Sequence, residues 1–247
     1  ATLGGHVQAW HNLVERNRGD TAQNGLSANP PDNQSPGEFS ELLTRGNISR
    51  DNGANGVSIR ASVAEIRDDY LAGNKASGLR VFNDVGEPAS ARVEGTSAVC
   101  NGVDGVVVAD TSTADLGGGA ASSPGQNAFT QNNLPGGGAN LRNATGSVVH
   151  AVNSQWENCG TGSVCDDGQI AALDLSDHGL NTVFSPAQAH RAQVPVVEGV
   201  SPAKGRTGEL LRIFGSGFNV IDGHFAEDNC ADVVGRNRCI PLRGNCV

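Results

Sequence analysis

Three segments of the chain align on their turns: Asn52-Gly-Ala-Asn-Gly56, Asn74-Lys-Ala-Ser-Gly78 and Asn101-Gly-Val-Asp-Gly105, each with Asn four residues ahead of Gly. The copies stand 22 and then 27 residues apart. This constrains the fold more than any composition can, because self-similarity at such a period marks a solenoid in which each repeat stacks on its neighbours. After each Gly comes a short run, Val57-Ser-Ile-Arg-Ala61, Leu79-Arg-Val-Phe-Asn83 and Val106-Val-Val-Ala-Asp110, with apolar residues first and third in every copy. That alternation turns one face of a strand toward a core. Upstream, Ile66 and Val93 both lie eight residues before their Asn, Ala64 and Ala91 ten before, and Leu71 and Ala98 three before. Short strands, Gly at the corners and Asn at the bends predict an all-β chain coiled as a parallel β-helix. Leucine-rich repeats share the length but need regular Leu positions that are absent here.

Residues at equal register in such a stack lie about 4.8 Å apart. Asn52, Asn74 and Asn101 are therefore expected to form a structural ladder, their amides satisfying backbone groups and one another inside the bend. The same register sets Glu65-Ile66-Arg67 over Arg92-Val93-Glu94, so Glu65 faces Arg92 and Arg67 faces Glu94. Two opposite-charge cross-coil pairs on one outer face are expected.

Composition agrees and excludes some partners. Aromatics are 4% of the chain and Gly numbers 34, which suits short strands and tight turns better than long helices. The formal charge is -9 and the only lysines are Lys75 and Lys204. That argues against nucleic acid, which needs a basic footprint. No apolar run is long enough for a membrane span, and ATLGGHVQAW lacks the layout of a signal peptide, so the chain reads as a mature or internal segment. Six cysteines occur without a C-x-x-C pair, so disulfides and an oxidising, secreted or cell-surface setting are expected. Cys159 and Cys165 bracket a short loop and are the expected pair; the pairing of Cys100, Cys230, Cys239 and Cys246 stays open.

The segment GVSIRASVAEIRDDYLAGNKASGLRV resembles the coils of pectate-lyase-like right-handed parallel β-helix proteins, and Asp115–Phe129 is similar to a loop of that group. The resemblance covers about residues 40–190 and implies a right-handed β-helix, which is expected to span residues 1–190, irregular before about 40, with coils clearest over about 45–190. Trp156 is large enough to plug the end of a narrow core, and Ile170-Ala-Ala-Leu-Asp reads as part of the last irregular turns. Residues 191–200 read as an extended connector. Ser201-Pro-Ala-Lys-Gly-Arg-Thr-Gly-Glu-Leu-Leu-Arg-Ile-Phe-Gly-Ser-Gly-Phe218 resembles the opening of an IPT/TIG domain. Residues 201–247 are thus expected to form a partial immunoglobulin-like module with a Cys-rich tail. A missing strand there would leave an open edge for self-association.

Proteins of the β-helix group act on extracellular polysaccharide, so the resemblance implies a groove along one outer sheet where carboxylates and arginines of successive coils project together. Asp68 and Asp69, at the end of the Glu65–Arg67 strand, and Asn83, Asp84 and Asp110, after the next strand, are the candidate binding residues. The bland alternative for Asp68 and Asp69 is a pair of solvated turn residues. Asp166 and Asp167 are candidate ligands for Ca²⁺, a hard cation that takes oxygen donors, although their spacing is not that of an EF-hand. No catalytic residue is assigned. Asn47-Ile-Ser and Asn143-Ala-Thr fit the N-glycosylation acceptor pattern. Two functions compete: binding or processing of extracellular polysaccharide, and a structural or adhesive role as a stiff spacer or filament subunit whose partner is another protein chain. The scarcity of Trp and Tyr favours the second.

Overall fold

The computed structural model describes residues 5–17, 23–30, 39–84, 86–130, 132, 138–156, 167–176, 181–187, 196–201 and 212–216. It divides into two compact units, Ala1–His190 and Arg191–Val247.

Short strands follow one another in trios through the first unit. The first trio is β1 (His6–Trp10), β2 (Leu13–Glu15) and β3 (Leu26–Ala28), and the second is β4 (Glu41–Arg45), β5 (Ile48–Arg50) and β6 (Val57–Arg60). The third is β7 (Val63–Arg67), β8 (Tyr70–Ala72) and β9 (Leu79–Phe82), and the fourth β10 (Ser90–Glu94), β11 (Ser97–Val99) and β12 (Val106–Asp110). The fifth is β13 (Thr113–Asp115), β14 (Ala128–Thr130) and β15 (Leu141–Thr145). Then come β16 (Val149–His150), β17 (Gln155–Trp156), the short helix α1 (Asp167–Leu173) and β18 (Thr182–Val183).

Each strand pairs in parallel with its counterpart one trio away, which gives three parallel sheets. Sheet 1 runs β1-β4-β7-β10-β13-β16-β18, sheet 2 runs β2-β5-β8-β11-β14-β17, and sheet 3 runs β3-β6-β9-β12-β15. This is the topology of a parallel β-helix, in which every trio is one coil. Residues before about 40, where irregularity was expected, belong to the stack, since β1 to β3 pair in register with β4 to β6.

The register is the one that the turns dictate. Val57 stacks on Leu79 and Leu79 on Val106, while Ala64 stacks on Ala91, Ile66 on Val93 and Leu71 on Ala98. The residues first and third after each Gly, Val57, Ile59, Leu79, Val81, Val106 and Val108, all lie in the core. Burying an aliphatic side chain of this size stabilises a fold by about 1.5–3 kcal/mol, so a column of them is what holds one coil on the next. In sheet 2 the inward column runs from Leu71 and Ala98 to Phe129 and Trp156, both buried, with ring centroids 5.3 Å apart at 54°.

Among the described residues, every sheet 2 strand has the same two-residue corner ahead of it, and β2, β5, β8 and β11 have it after them as well. A residue with positive φ comes first: His11, Gly46, Asp68, Gly95, Gln126 and Asn153 at one end, Arg16, Asp51, Gly73 and Cys100 at the other. A polar residue follows whose side chain turns inward under the corner. Asn and Asp tolerate the left-handed conformation better than most residues and Gly adopts it freely, which explains part of the composition at these sites.

The expected last irregular turns around Ile170 are instead α1. Ile170 and Leu175 join the core, and Leu141 exchanges backbone hydrogen bonds with Asp174 and Ser176, so the helix and the turn after it cover the edge of sheet 3.

In the second unit, Val196–Ser201 (β19) pairs antiparallel with Arg212–Ser216 (β20), with a bulge between Val197 and Gly199. Part of the expected connector, 191–200, is therefore a strand.

Candidate functional site

The polar residues singled out in the sequence separate into an interior set and a surface set. In the interior, Asn52, Asn74 and Asn101 stack as a ladder, and it is longer than the three turns indicated. The Asn52 amide donates to Asn74 Oδ1 at 2.9 Å, Asn74 to Asn101 at 3.0 Å and Asn101 to Asn132 at 2.8 Å. The same oxygens accept the backbone N–H of the preceding Asn, beginning with Asn17 on Asn52 at 3.2 Å. The second amide hydrogen of each goes to a backbone carbonyl one coil back: Ser49 for Asn74, Leu71 for Asn101 and Ala98 for Asn132. Every hydrogen-bonding site of a buried carboxamide is thereby used, which is how an apolar core tolerates it. The ladder ends on Asn140, which accepts from Asn132 and donates to the Asp174 carboxylate.

The ladder also explains the glycines. A Cβ on Gly78 would meet the Asn101 amide nitrogen at 2.8 Å and the Gly105 carbonyl at 2.7 Å, and one on Gly56 would meet the Asn74 amide nitrogen at 2.8 Å. Asn and Gly recur together because each Asn side chain occupies the space a Cβ would take on the neighbouring coil.

A second ladder, at the corner between sheets 1 and 2, escaped the sequence reading. The Asn12 amide and backbone N–H both donate to Asn47 Oδ1, at 3.1 and 2.9 Å, and those of Asn47 both donate to Asp69 Oδ1, at 3.1 and 2.7 Å. Asp69 N–H reaches the Thr96 hydroxyl at 3.4 Å, and Thr96 N–H donates to Asn127 Oδ1 at 2.9 Å. The signal was present: Asn12 and Asn17, Asn47 and Asn52, and Asn127 and Asn132 are each five residues apart, with Asp69 and Thr96 five before Asn74 and Asn101.

Asp69 is therefore neither a surface binding residue nor a solvated turn residue. It is fully buried, and its Oδ2 makes no hydrogen bond. Burial raises its pKa to about 6, against the opposing influence of the Thr44 hydroxyl and the Asn47 donors; the Thr44 hydroxyl stands near but outside hydrogen-bonding geometry. Asp68, the preceding residue, occupies the positive-φ corner position, with its side chain 57% exposed and 3.6 Å from Arg45. Desolvation raises its pKa, and the Arg45 charge opposes this. One corner thus sends two adjacent carboxylates to opposite sides of the wall.

The surface set lies on the outer face of sheet 1. Arg92 pairs with Glu65 in the ladder of strands and Glu94 with Arg67. Arg92 Nη1 sits 2.9 Å from both Glu65 and Glu94, Arg67 bonds Glu65 within its own strand, and Arg67 Nε lies 3.9 Å from Glu94. Two carboxylates and two guanidinium groups close on one another. The Glu65 hydrogen bond, more than any other contact, raises the Arg67 pKa. Arg92 also donates to the carbonyls of Ala121 and Ser122, at 3.1 and 3.2 Å. Those carbonyls belong to a loop whose N–H groups at Gly117, Gly119 and Ser123 converge on the Asp115 carboxylate at 3.0–3.1 Å.

The other candidates do not assemble. Asn83 follows β9 and Asp110 is the last residue of β12, in the left-handed conformation, while Asp84 is paired with Arg60 and bridges to Glu87. Asp167 stands in the first turn of α1, where a carboxylate complements the helix dipole, and Asp166 lies outside the described residues. Among the described residues no three His, Cys, Asp or Glu side chains converge as metal ligands. Cys159 and Cys165 also lie outside the described residues, and Cys100 is not a free thiol. Both glycosylation acceptors are buried: Asn47 is a ladder rung, and the Asn143 amide donates to the carbonyls of Ser147 and Asn181. Among the described residues no helix is long and apolar enough to cross a membrane.

No protein family, no curated protein and no solved structure matches the chain.

Proposed function

We propose that the first unit is a non-catalytic structural element of a secreted or cell-surface protein, a stiff parallel β-solenoid that spaces or presents what is attached to it. The observation that carries this reading is the outer face of sheet 1, where Glu65, Arg67, Arg92 and Glu94 neutralise one another across two coils. A hydrolytic or lyase groove needs carboxylates or a base directed at substrate. Here those groups are directed at each other and at the loop that Arg92 holds. The two interior ladders support the same reading, since rigid registration of coils is what a spacer requires. The finer assignments belong to this proposal as well: a right-handed coil resembling the pectate-lyase-like group, and an IPT/TIG-like second unit, of which the β19–β20 pair would form part.

Glycan binding is the second reading, favoured by Trp10, which is 58% exposed on the outer face of sheet 1 in the column that continues to Arg45 and Arg67. An aromatic face beside guanidinium groups suits a sugar ring.

One experiment separates the two. The protein is incubated with uronate-containing and neutral polysaccharides, with and without Ca²⁺, while binding and chain cleavage are followed. The spacer reading expects no cleavage anywhere in the panel. Cleavage that disappears in Glu65→Gln or Arg92→Gln overturns it, and binding without cleavage that disappears in Trp10→Ala establishes the glycan-binding reading in its place.

A further inference from the structure

Between sheet 2 and sheet 3 the chain places Gly directly after Asn at Asn24-Gly25, Asn52-Gly53, Asn55-Gly56 and Asn101-Gly102. Asn-Gly is the sequence at which a polypeptide most readily attacks itself, because Gly has no Cβ to hinder its nitrogen. The Gly nitrogen gives up its proton and attacks Asn Cγ. A C–N bond closes a five-membered imide, and the side-chain nitrogen leaves with that proton as ammonia. Water then adds to either imide carbonyl, and the product is aspartate or isoaspartate. No oxidant or reductant takes part.

The last three pairs lie in coils that have a described neighbour on both sides, and their asparagines are buried. In each, the attacking nitrogen is tied to one neighbouring coil and the leaving amide to the other. The Gly53 N–H donates back to the Asn17 carbonyl at 2.9 Å, while the Asn52 amide donates forward to Asn74 Oδ1 at 2.9 Å. The Gly56 N–H donates forward to the Ser77 carbonyl at 3.0 Å, while the Asn55 amide donates back to Asn24 Oδ1 at 3.0 Å. The Gly102 N–H donates back to the Asn74 carbonyl at 2.8 Å, while the Asn101 amide donates forward to Asn132 Oδ1 at 2.8 Å. The carboxamide oxygens are held as well, by the N–H groups of Asn17, Ser77 and Asn74. Imide closure therefore requires a coil to part from both of its neighbours. Nor does either product fit back. An aspartate at 101 sets a carboxylate oxygen against Asn132 Oδ1, acceptor against acceptor in the interior. An isoaspartate lengthens the backbone within the corner and so disturbs the register of the strand that follows.

We propose that Asn52-Gly53, Asn55-Gly56 and Asn101-Gly102 are latent modification sites, inert to deamidation while the coils are stacked and converted when a coil opens, so that a converted coil does not close again. The ladder that registers the coils also shields its own most reactive bonds. The inference stands whether the solenoid is a spacer or a glycan binder.

The test uses the full chain in mildly alkaline buffer, native and unfolded in guanidinium chloride. Peptide mapping by mass spectrometry follows the change from amide to acid at each pair. Conversion at the three pairs should be slower in the native chain by about a hundredfold or more, because only the open coil reacts. Below the unfolding midpoint, added denaturant should speed conversion at Asn101 in step with hydrogen exchange of the Gly102 N–H. When a partly converted sample is refolded, the native fraction should be depleted of converted chains, and Asn101→Asp, the unrearranged product, should refold to a smaller native fraction than the parent. Conversion as fast in the native chain as in the unfolded one, or none in the unfolded chain, overturns the proposal. So does recovery of converted chains in native form in the same proportion as unconverted ones, or an Asn101→Asp variant that refolds as fully as the parent.

Discussion

Replacing Asp69 by Asn should stabilise the protein at neutral pH, because the ladder at this rung has the geometry of a carboxamide and holds a carboxylate. Asp69 Oδ1 already accepts two N–H groups from Asn47, as an Asn oxygen would, while Oδ2 has no hydrogen bond and cannot reach water. Burial raises the folded-state pKa from 3.8 to about 6. The folded state therefore holds the proton more tightly than the unfolded chain, so this group's contribution falls as pH rises through that interval. Below about pH 4 both states are protonated and nothing is lost. Above about pH 6 the full difference is felt, roughly two pKa units at about 1.4 kcal/mol each, or on the order of 3 kcal/mol. Charges around the corner adjust that figure: Asp68 works in the same direction, and Arg45, Arg67, Glu94 and His11 act on Asp68. Urea unfolding of both proteins from pH 4 to 8 gives the test, since carboxylates common to the two cancel in the difference. Asp69→Asn should match the parent near pH 4 and exceed it by about 1–3 kcal/mol at pH 7. A variant less stable at pH 7, or a difference that does not change with pH, would refute the reasoning.

Three further outcomes are expected. Asn101→Ala removes the acceptor of two Asn74 N–H groups and the donor to the Leu71 carbonyl, and orphaned buried groups cost about 1–3 kcal/mol each. Chemical denaturation should show a loss on the order of 4 kcal/mol. Gly78→Ala places a methyl 2.7 Å from the Gly105 carbonyl and 2.8 Å from the Asn101 amide nitrogen, so thermal unfolding should show a loss of about 1–3 kcal/mol or more, where an exposed Gly→Ala would gain. Expression in a host that attaches N-linked glycans should leave Asn47 and Asn143 unmodified in folded protein, as mass spectrometry of the intact chain would show, because both amides are already donating inside the wall.

The sequence by itself determined the register. The Asn-to-Gly interval, the apolar first and third positions, and Glu65 opposite Arg92 were all legible, because each coil must encode its own corner and its own inward face. The first coil was harder to read, since Asn17 and Gly25 are eight residues apart where Asn52 and Gly56 are four; Asn132 and Asn140 in the fifth coil are also eight apart. Stacking, not local pattern, aligns those rungs. Only the tertiary structure decided the fates of Asp68 and Asp69. Both are acidic turn residues in the sequence, yet one left-handed residue turns the chain so that the first side chain faces solvent and the second faces the core. Nor could the sequence show that Asp84, a candidate for binding, is paired with Arg60 of the neighbouring coil. Whether a carboxylate is available to a substrate depends on what stands one coil above it, at a separation of 27 residues for Glu65 and Arg92.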